Sequence, residues 1–306
     1  MTTDARLSAG DVSNISPCPN LFIIGAAKCG TTTLHSFLDA RGDIFMSDIK
    51  EPGFFVPEFQ YHPKKLSWYL SLFKQAGNQK YIGESSTHYT KRPLYEGVAQ
   101  RIYDFSPNAR LIYLIRDPIE RAISHYWHNT RSLRKEFQEL RPMLSAMIED
   151  PLYKEYGDYT MQLEPWIRLF GRDKLYVMVF EEMIQAPEEE LGKLLKWLDL
   201  PSSSDGLHLE KLNVRTDRFT KPRGNGFIQR FRHSAFWEAV SPFVHQRAKK
   251  WASGFAKETV KVTLPDMKDE VIEYLQPWAL ERVADTEKLL GKPLPVWKTS
   301  QGNMKG

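Results

Sequence analysis

Between Gly25 and Thr33 the chain sets out GAAKCGTTT, a set of residue types that can hold a phosphate. Gly25 and Gly30 permit positive φ and close approach of the backbone, Lys28 brings a cation, Cys29 lies inside the loop, and Thr31, Thr32 and Thr33 bring hydroxyls. The chemistry needs a helix starting at the loop, because its unpaired N–H groups and positive dipole end then face the anion. Such a helix is expected: Leu34, Phe37 and Leu38 recur at helical spacing and Gly42 follows as a stop. The apolar run Leu21 to Ile24 before the loop has the length of a strand buried on both faces. The glycine spacing matches the nucleotide-triphosphatase loop, but Thr31 stands where that loop has its lysine, and Lys28 comes two residues before Gly30. A lysine so placed reaches the first phosphate and the bridging oxygen beyond it, and loses the reach to a γ-phosphate. A tight turn with a surface lysine is the plainer reading of the same residues.

A second set lies in LIYLIRDPIERAISHYWH, residues 111–128. Leu111 to Ile115 repeats the buried-strand pattern, and Pro118 opens a helix. Arg116 then stands at the carboxyl end of a strand with Ser124 about two turns into the helix, both on the crevice where open α/β sheets bind ligands. Arg116 could equally pair with Asp117 or Glu120 on the surface. His125 and His128 share a helix face, but with no carboxylate or cysteine set beside them packing is the better reading than metal ligation.

Two shorter segments complete the polar inventory. KEPGFF, residues 50–55, is a turn with Lys50, Glu51, Phe54 and Phe55, and GESSTHY, residues 83–89, is a polar stretch ending in His88 and Tyr89. Residues 211–226, KLNVRTDRFTKPRGNG, read as a basic loop containing Lys221, Arg223 and Gly224.

The elements that must position these residues alternate strand and helix over the first two-thirds of the chain, which predicts an α/β fold: a P-loop-like parallel sheet flanked by helices. Expected helices span 66–73, 94–105 and 271–290, and expected strands 44–46 and 174–180. Residues 129–162 read as a helical cap insertion, residues 1–19 as a flexible arm, and residues 20–306 as a single domain with a mainly helical C-terminal part. Beyond residue 226, aromatics alternate with cations in a basic amphipathic pattern, for which core packing is preferred over a membrane-surface role. With 42% hydrophobic and 26% charged residues the 306-residue chain has an ordinary globular composition. A net charge of +4 fits local anion sites better than nucleic-acid coating. Cys18 and Cys29 alone offer neither a disulfide framework nor a thiol zinc site, and a reducing compartment fits. No apolar run reaches membrane-spanning length.

On G-x-x-K-x-G-T-T, R-D-P-x-x-R-x-x-S and the FEEM segment that follows the 174–180 strand, the chain resembles the sulfotransferases that use 3′-phosphoadenosine 5′-phosphosulfate, from about Leu21 to Trp297. The resemblance implies that Lys28, Cys29, Gly30, Thr31, Thr32 and Thr33 bind the 5′-phosphosulfate and that Arg116 and Ser124 bind the 3′-phosphate. Lys221, Arg223 and Gly224 match the family's closing basic loop more loosely. KEPGFF resembles the carbohydrate, heparan-type branch, which makes Glu51 the catalytic base, Lys28 the cation at the leaving oxygen, and Lys50, Phe54, Phe55 and His88 the acceptor side. In the cytosolic branch a histidine near the place of His88 is the base instead. Leu34 departs from the aromatic that the cytosolic branch has after the loop. The expected reaction carries a sulfuryl group to a hydroxyl or amine of a small-molecule, carbohydrate or lipid acceptor, without metal, leaving adenosine 3′,5′-bisphosphate, in a soluble, cytoplasmic, bacterial-type protein. An ATP-dependent kinase and a non-catalytic nucleotide-binding protein are the competing readings.

Overall fold

The computed structural model describes residues 17–59, 65–131, 138–201 and 268–302, and the backbone of 218–222 and 257–261. Its centre is a five-stranded sheet of β1 (Leu21–Gly25), β2 (Ile44–Met46), β3 (Tyr81–Ser85), β4 (Arg110–Ile115) and β5 (Leu175–Val179). The spatial order is β2-β3-β1-β4-β5 and every pairing is parallel. Leu21 to Gly25 are all buried, as expected of a strand with helices on both faces. Gly83 is glycine for a steric reason: an added Cβ would lie 2.9 Å from the Leu21 carbonyl oxygen and 2.8 Å from Met46 Sδ.

Helix α1 (Thr31–Asp39) carries the chain from β1 towards β2 on one side, while β4 flanks β1 on the other. The strand order therefore reverses at β1, and the crevice at such a reversal lies beyond the carboxyl ends of the strands. Helices α2 (Leu66–Ser71), α3 (Val98–Phe105) and α4 (Pro118–Thr130) follow in the connections, with a 3-10 turn at Thr87–Thr90. Helix α3 starts later than the apolar spacing predicts because Gly97, at φ 71°, forms its N-cap.

In the expected cap, α5 (Met143–Glu149) and α6 (Leu152–Glu155) precede α7 (Tyr159–Phe170). Met143, Met147 and Tyr153 pack with Ile119 and Ile123 of α4 and with Val271 and Leu275 of the last helix, α10 (Lys268–Leu290). Tyr159, Leu163 and Trp166 of α7 belong to the main core around the sheet. After β5, Phe180 already begins α8 (Phe180–Gln185), and α9 (Pro187–Trp197) buries Leu191, Leu194 and Leu195.

Internal contacts divide the chain into one unit of residues 1–210 and 267–306 and a second of residues 211–266. In the second, β6 (Arg218–Pro222) pairs antiparallel with β7 (Lys257–Lys261). Part of the expected basic loop is thus a strand, and Lys221 is a strand residue opposite Glu258. Arg223 and Gly224, like most of the N-terminal arm, lie outside the described residues.

Candidate active site

The phosphate loop has the geometry its residue types require. Lys28 and Gly30 adopt left-handed φ of 74° and 88°, and Gly30 is the N-cap of α1 without any side-chain cap. Among the described residues the N–H groups of Lys28, Gly30, Thr31 and Thr32 have no protein acceptor, the usual state of donors at an anion site. An added Cβ at Gly30 would stand 2.6 Å from the ring of Phe180, so the position admits only glycine on packing as well as on φ. Burial, then the charge of Arg116, draws the Lys28 ammonium down to about 8. Cys29 turns inward: its side chain is fully buried, its N–H donates to Ala26 O at 3.3 Å, and burial pushes its thiol up to about 12. Its part in the loop is therefore structural.

Arg116 emerges at the end of β4 and is held on every side. The hydroxyl of Tyr159 donates to its carbonyl at 2.5 Å and accepts from its N–H at 3.2 Å. Its guanidinium donates to the carbonyl of Lys28 at 3.4 Å and to Glu120 Oε2 at 3.3 Å, and lies 5.1 Å from the ring centroid of Phe180. The surface pair with Glu120 thus exists, but it steadies a guanidinium that already touches the phosphate loop. Asp117 makes no such pair. It caps α4 by accepting from Ile119 N and Glu120 N, and it accepts from Ser300 N at 2.9 Å and Ser300 Oγ at 2.7 Å. Glu181 of the FEEM segment accepts from Asp117 N and from Trp297 Nε1, so the chain's last described segment braces the turn that aims Arg116. Ser124 is half-buried on α4, and its hydroxyl has no hydrogen-bond partner among the described residues.

The third part is the turn carrying Glu51, which is folded onto the end of β3. Glu51 N donates to Ser85 O at 2.8 Å, and Gly53 N donates to Ser86 Oγ at 3.0 Å. Ser86 Oγ in turn donates to Glu84, a fully buried carboxyl that also receives the hydroxyls of Tyr69 and Tyr89. Glu51, at φ 61°, accepts from Thr87 N at 2.7 Å and from Lys50 Nζ at 2.5 Å, and Nδ1 of His88 lies 3.2 Å from its Oε2. Burial by itself would raise the Glu51 carboxyl. His88 and Lys50 together outweigh it and hold the group at about 2.

One expectation for this turn fails. Phe54 and Phe55 do not face an acceptor: both are fully buried, stacked or edge-on against Tyr69, Phe22, Tyr89 and Phe105, because two large rings gain most by entering the core. Lys50 and His88 do stand beside Glu51, and the Nε2 edge of His88 has no partner among the described residues.

Sequence reasoning missed Thr87, whose N–H fixes Glu51, and Phe180, which packs on both Gly30 and Arg116; neither type signals such a role. His128 was read as packing, yet it is exposed on α4 within reach of the charges of Lys28, Lys91 and Glu51. Among the described residues no cluster of His, Cys, Asp and Glu is arranged to hold a metal ion, and no helix is long and apolar enough to cross a membrane.

The site joins a lysine-bearing, glycine-bounded loop at the centre of a parallel sheet to an arginine at the next strand's end, an arrangement that can take an anion. Residues 19–287 match the family described as Sulfotransferase domain, and the chain belongs to that family. It is 26% identical over 240 residues to the bifunctional heparan sulfate N-deacetylase/N-sulfotransferase 1 of Caenorhabditis briggsae, covering 69% of this chain and 27% of that one. It is 30% identical over 188 residues to the heparan sulfate glucosamine 3-O-sulfotransferase 3B1 of Mus musculus, covering 60% of this chain and 46% of that one. The chain thus spans less than half the length of these relatives. The fold is shared with a sulfotransferase from Alicyclobacillus acidocaldarius, at a TM-score of 0.62 and 23% identity over 92% of this chain and 98% of that one. Family membership does not favour the kinase alternative.

Proposed function

We propose that the protein transfers the sulfuryl group of 3′-phosphoadenosine 5′-phosphosulfate to a hydroxyl or amine of an acceptor, for which the carbohydrate acceptors named for its relatives are the first candidates. The observation that carries this reading is the joining of two separate phosphate positions: the α1 loop with Lys28, and Arg116 hydrogen-bonded to that loop. A triphosphate cradle would have its lysine after Gly30 and an acid where Arg116 stands.

When bound, the donor supplies an activated sulfuryl group whose S–O bond to phosphate is the one broken. The free N–H groups of the loop hold the 5′-phosphate, and Lys28 meets the charge that grows on the departing oxygen, where a fixed donor counts most. Arg116 and Ser124 select the 3′-phosphate. The acceptor's proton goes to His88, whose Nδ1 lies 3.2 Å from Glu51 Oε2, so that Glu51 stands beside the ring to stabilise the imidazolium that forms. The Glu51 carboxylate already accepts from Lys50 Nζ at 2.5 Å and from Thr87 N at 2.7 Å, so this division of labour suits it better than proton abstraction. Thermal unfolding tests the reading: adenosine 3′,5′-bisphosphate should raise the melting temperature and ATP with magnesium should do so weakly, whereas equal stabilisation by ATP overturns it.

A further inference from the structure

We propose that Lys91 binds an anionic substituent, a carboxylate, sulfate or phosphate, that the acceptor carries beside its reacting group; the proposal rests on the sulfotransferase reading above.

Lys91 immediately follows the 3-10 turn whose first N–H, that of Thr87, grips Glu51. Its backbone is fixed on both sides. Thr90 Oγ1 donates to Ile24 O at 2.7 Å at the end of β1, and the fully buried Gln162 of α7 accepts from Arg92 N at 3.0 Å and donates to Arg92 O at 2.8 Å. The ammonium lies 5.7 Å from the ring centroid of Tyr156, whose other neighbour is the His125 ring at 5.6 Å. Among the described residues it has no carboxylate partner and no hydrogen bond.

Most neighbouring cations have partners. Lys50 pairs with Glu51, Arg116 with Glu120 and the loop, and Arg121 donates to the Tyr153 carbonyl. Lys28 belongs to the donor loop. Arg121 keeps Nε and Nη1 without a partner among the described residues but is sealed in the core, whereas Lys91 is half-buried and its charge meets only an aromatic face, which recovers little of the cost of leaving water. Burial lowers its pKa, Glu51 opposes this and Arg121 adds to it. The neutral imidazoles of His125 and His128, both drawn down by burial and by cations that include Lys91, offer it no countercharge. Lys91 follows directly on the turn that carries His88 and whose Thr87 N–H holds Glu51, so it stands on the side of the acid–base pair. A cation held rigidly there, beside the groups that handle the acceptor's proton, is preorganised for a negative group on the acceptor.

The test titrates D-glucuronate, with D-glucose as its neutral counterpart, into protein saturated with adenosine 3′,5′-bisphosphate. Glucuronate should bind more tightly than glucose, Lys91→Met should weaken glucuronate by about 10- to 100-fold with bisphosphate affinity unchanged, and Lys91→Arg should retain most of the binding. Methionine keeps the apolar stem, so packing is preserved. Equal binding of the two sugars, or glucuronate binding indifferent to Lys91→Met, overturns the proposal. So does a selective loss of affinity for 3′-phosphoadenosine 5′-phosphosulfate in Lys91→Met, which would make the donor's sulfuryl oxygens the anion. Failure of the bisphosphate itself to bind would count against the sulfotransferase reading instead.

Discussion

Arg116 donates to the main-chain carbonyl of Lys28 across 88 residues of sequence, at 3.4 Å. Phe180 completes the contact, with one face of its ring near the guanidinium and its edge where a Gly30 side chain would be. The loop after β1 and the arginine at the end of β4 are therefore in direct contact.

Arg116→Ala should cost about 1.5–3 kcal/mol in affinity for adenosine 3′,5′-bisphosphate, the usual value of a hydrogen bond to a charged group. Affinity for adenosine 5′-phosphate should fall much less. Calorimetric titration of both nucleotides checks this, and an unchanged preference for the bisphosphate would remove Arg116 from the 3′ site.

Lys28→Ala should lower kcat by about two to three orders of magnitude, as loss of one donor to a developing oxyanion does, and weaken cofactor binding less. Because Lys28 has a left-handed φ, Lys28→Gly removes the ammonium without adding strain and should give the same kcat. With the ammonium drawn down to about 8, bisphosphate affinity of the wild type should also decline as pH rises above about 8, and the variants should lack that decline. A variant with normal kcat and weak binding would make Lys28 a binding residue only.

His88→Ala should remove most turnover, by about 10²–10⁴-fold, while Glu51→Gln should leave a measurable fraction of it, because glutamine still accepts from Thr87 N and keeps an oxygen beside His88 Nδ1. Both should bind bisphosphate normally. Single-turnover rates decide the matter: loss in Glu51→Gln with near-normal rates in His88→Ala would return the base to Glu51.

Glu84 gives a prediction in stability. Burial raises its carboxyl to about 7 against the opposing hydrogen bonds of Tyr89, Ser86 and Tyr69. Its folded-state pKa is above the unfolded value of 4.5, so its contribution is complete below pH 4.5 and is lost as pH rises through 7. Glu84→Gln cannot ionise and should flatten the stability profile over that window by an amount on the order of 1–3 kcal/mol. Urea unfolding at pH 4.5, 6 and 8 measures the slope; identical slopes in the two proteins would show that Glu84 stays ionised.

The sequence by itself determined the sheet and the glycine-bounded turn that follows its central strand. Continuous apolar runs such as Leu21–Ile24 and Leu111–Ile115 can only be buried strands, and the glycine, lysine and threonine spacing after β1 is a local property of one turn. Helix boundaries at Val98 and Phe180 were less legible, since a cap glycine and a ring drawn under Gly30 act through neighbours. Tertiary structure decided the rest. Whether Phe54 and Phe55 met acceptor or core depended on Tyr69 and Phe105, contributed by α2 and α3. The basicity of Glu51 depended on Thr87, His88 and Lys50 closing around it, and the isolation of Lys91 on which carboxylates the fold left out of its reach. Charge and proton affinity are set by what surrounds a group in three dimensions, and linear spacing records only the part of that surrounding that is local.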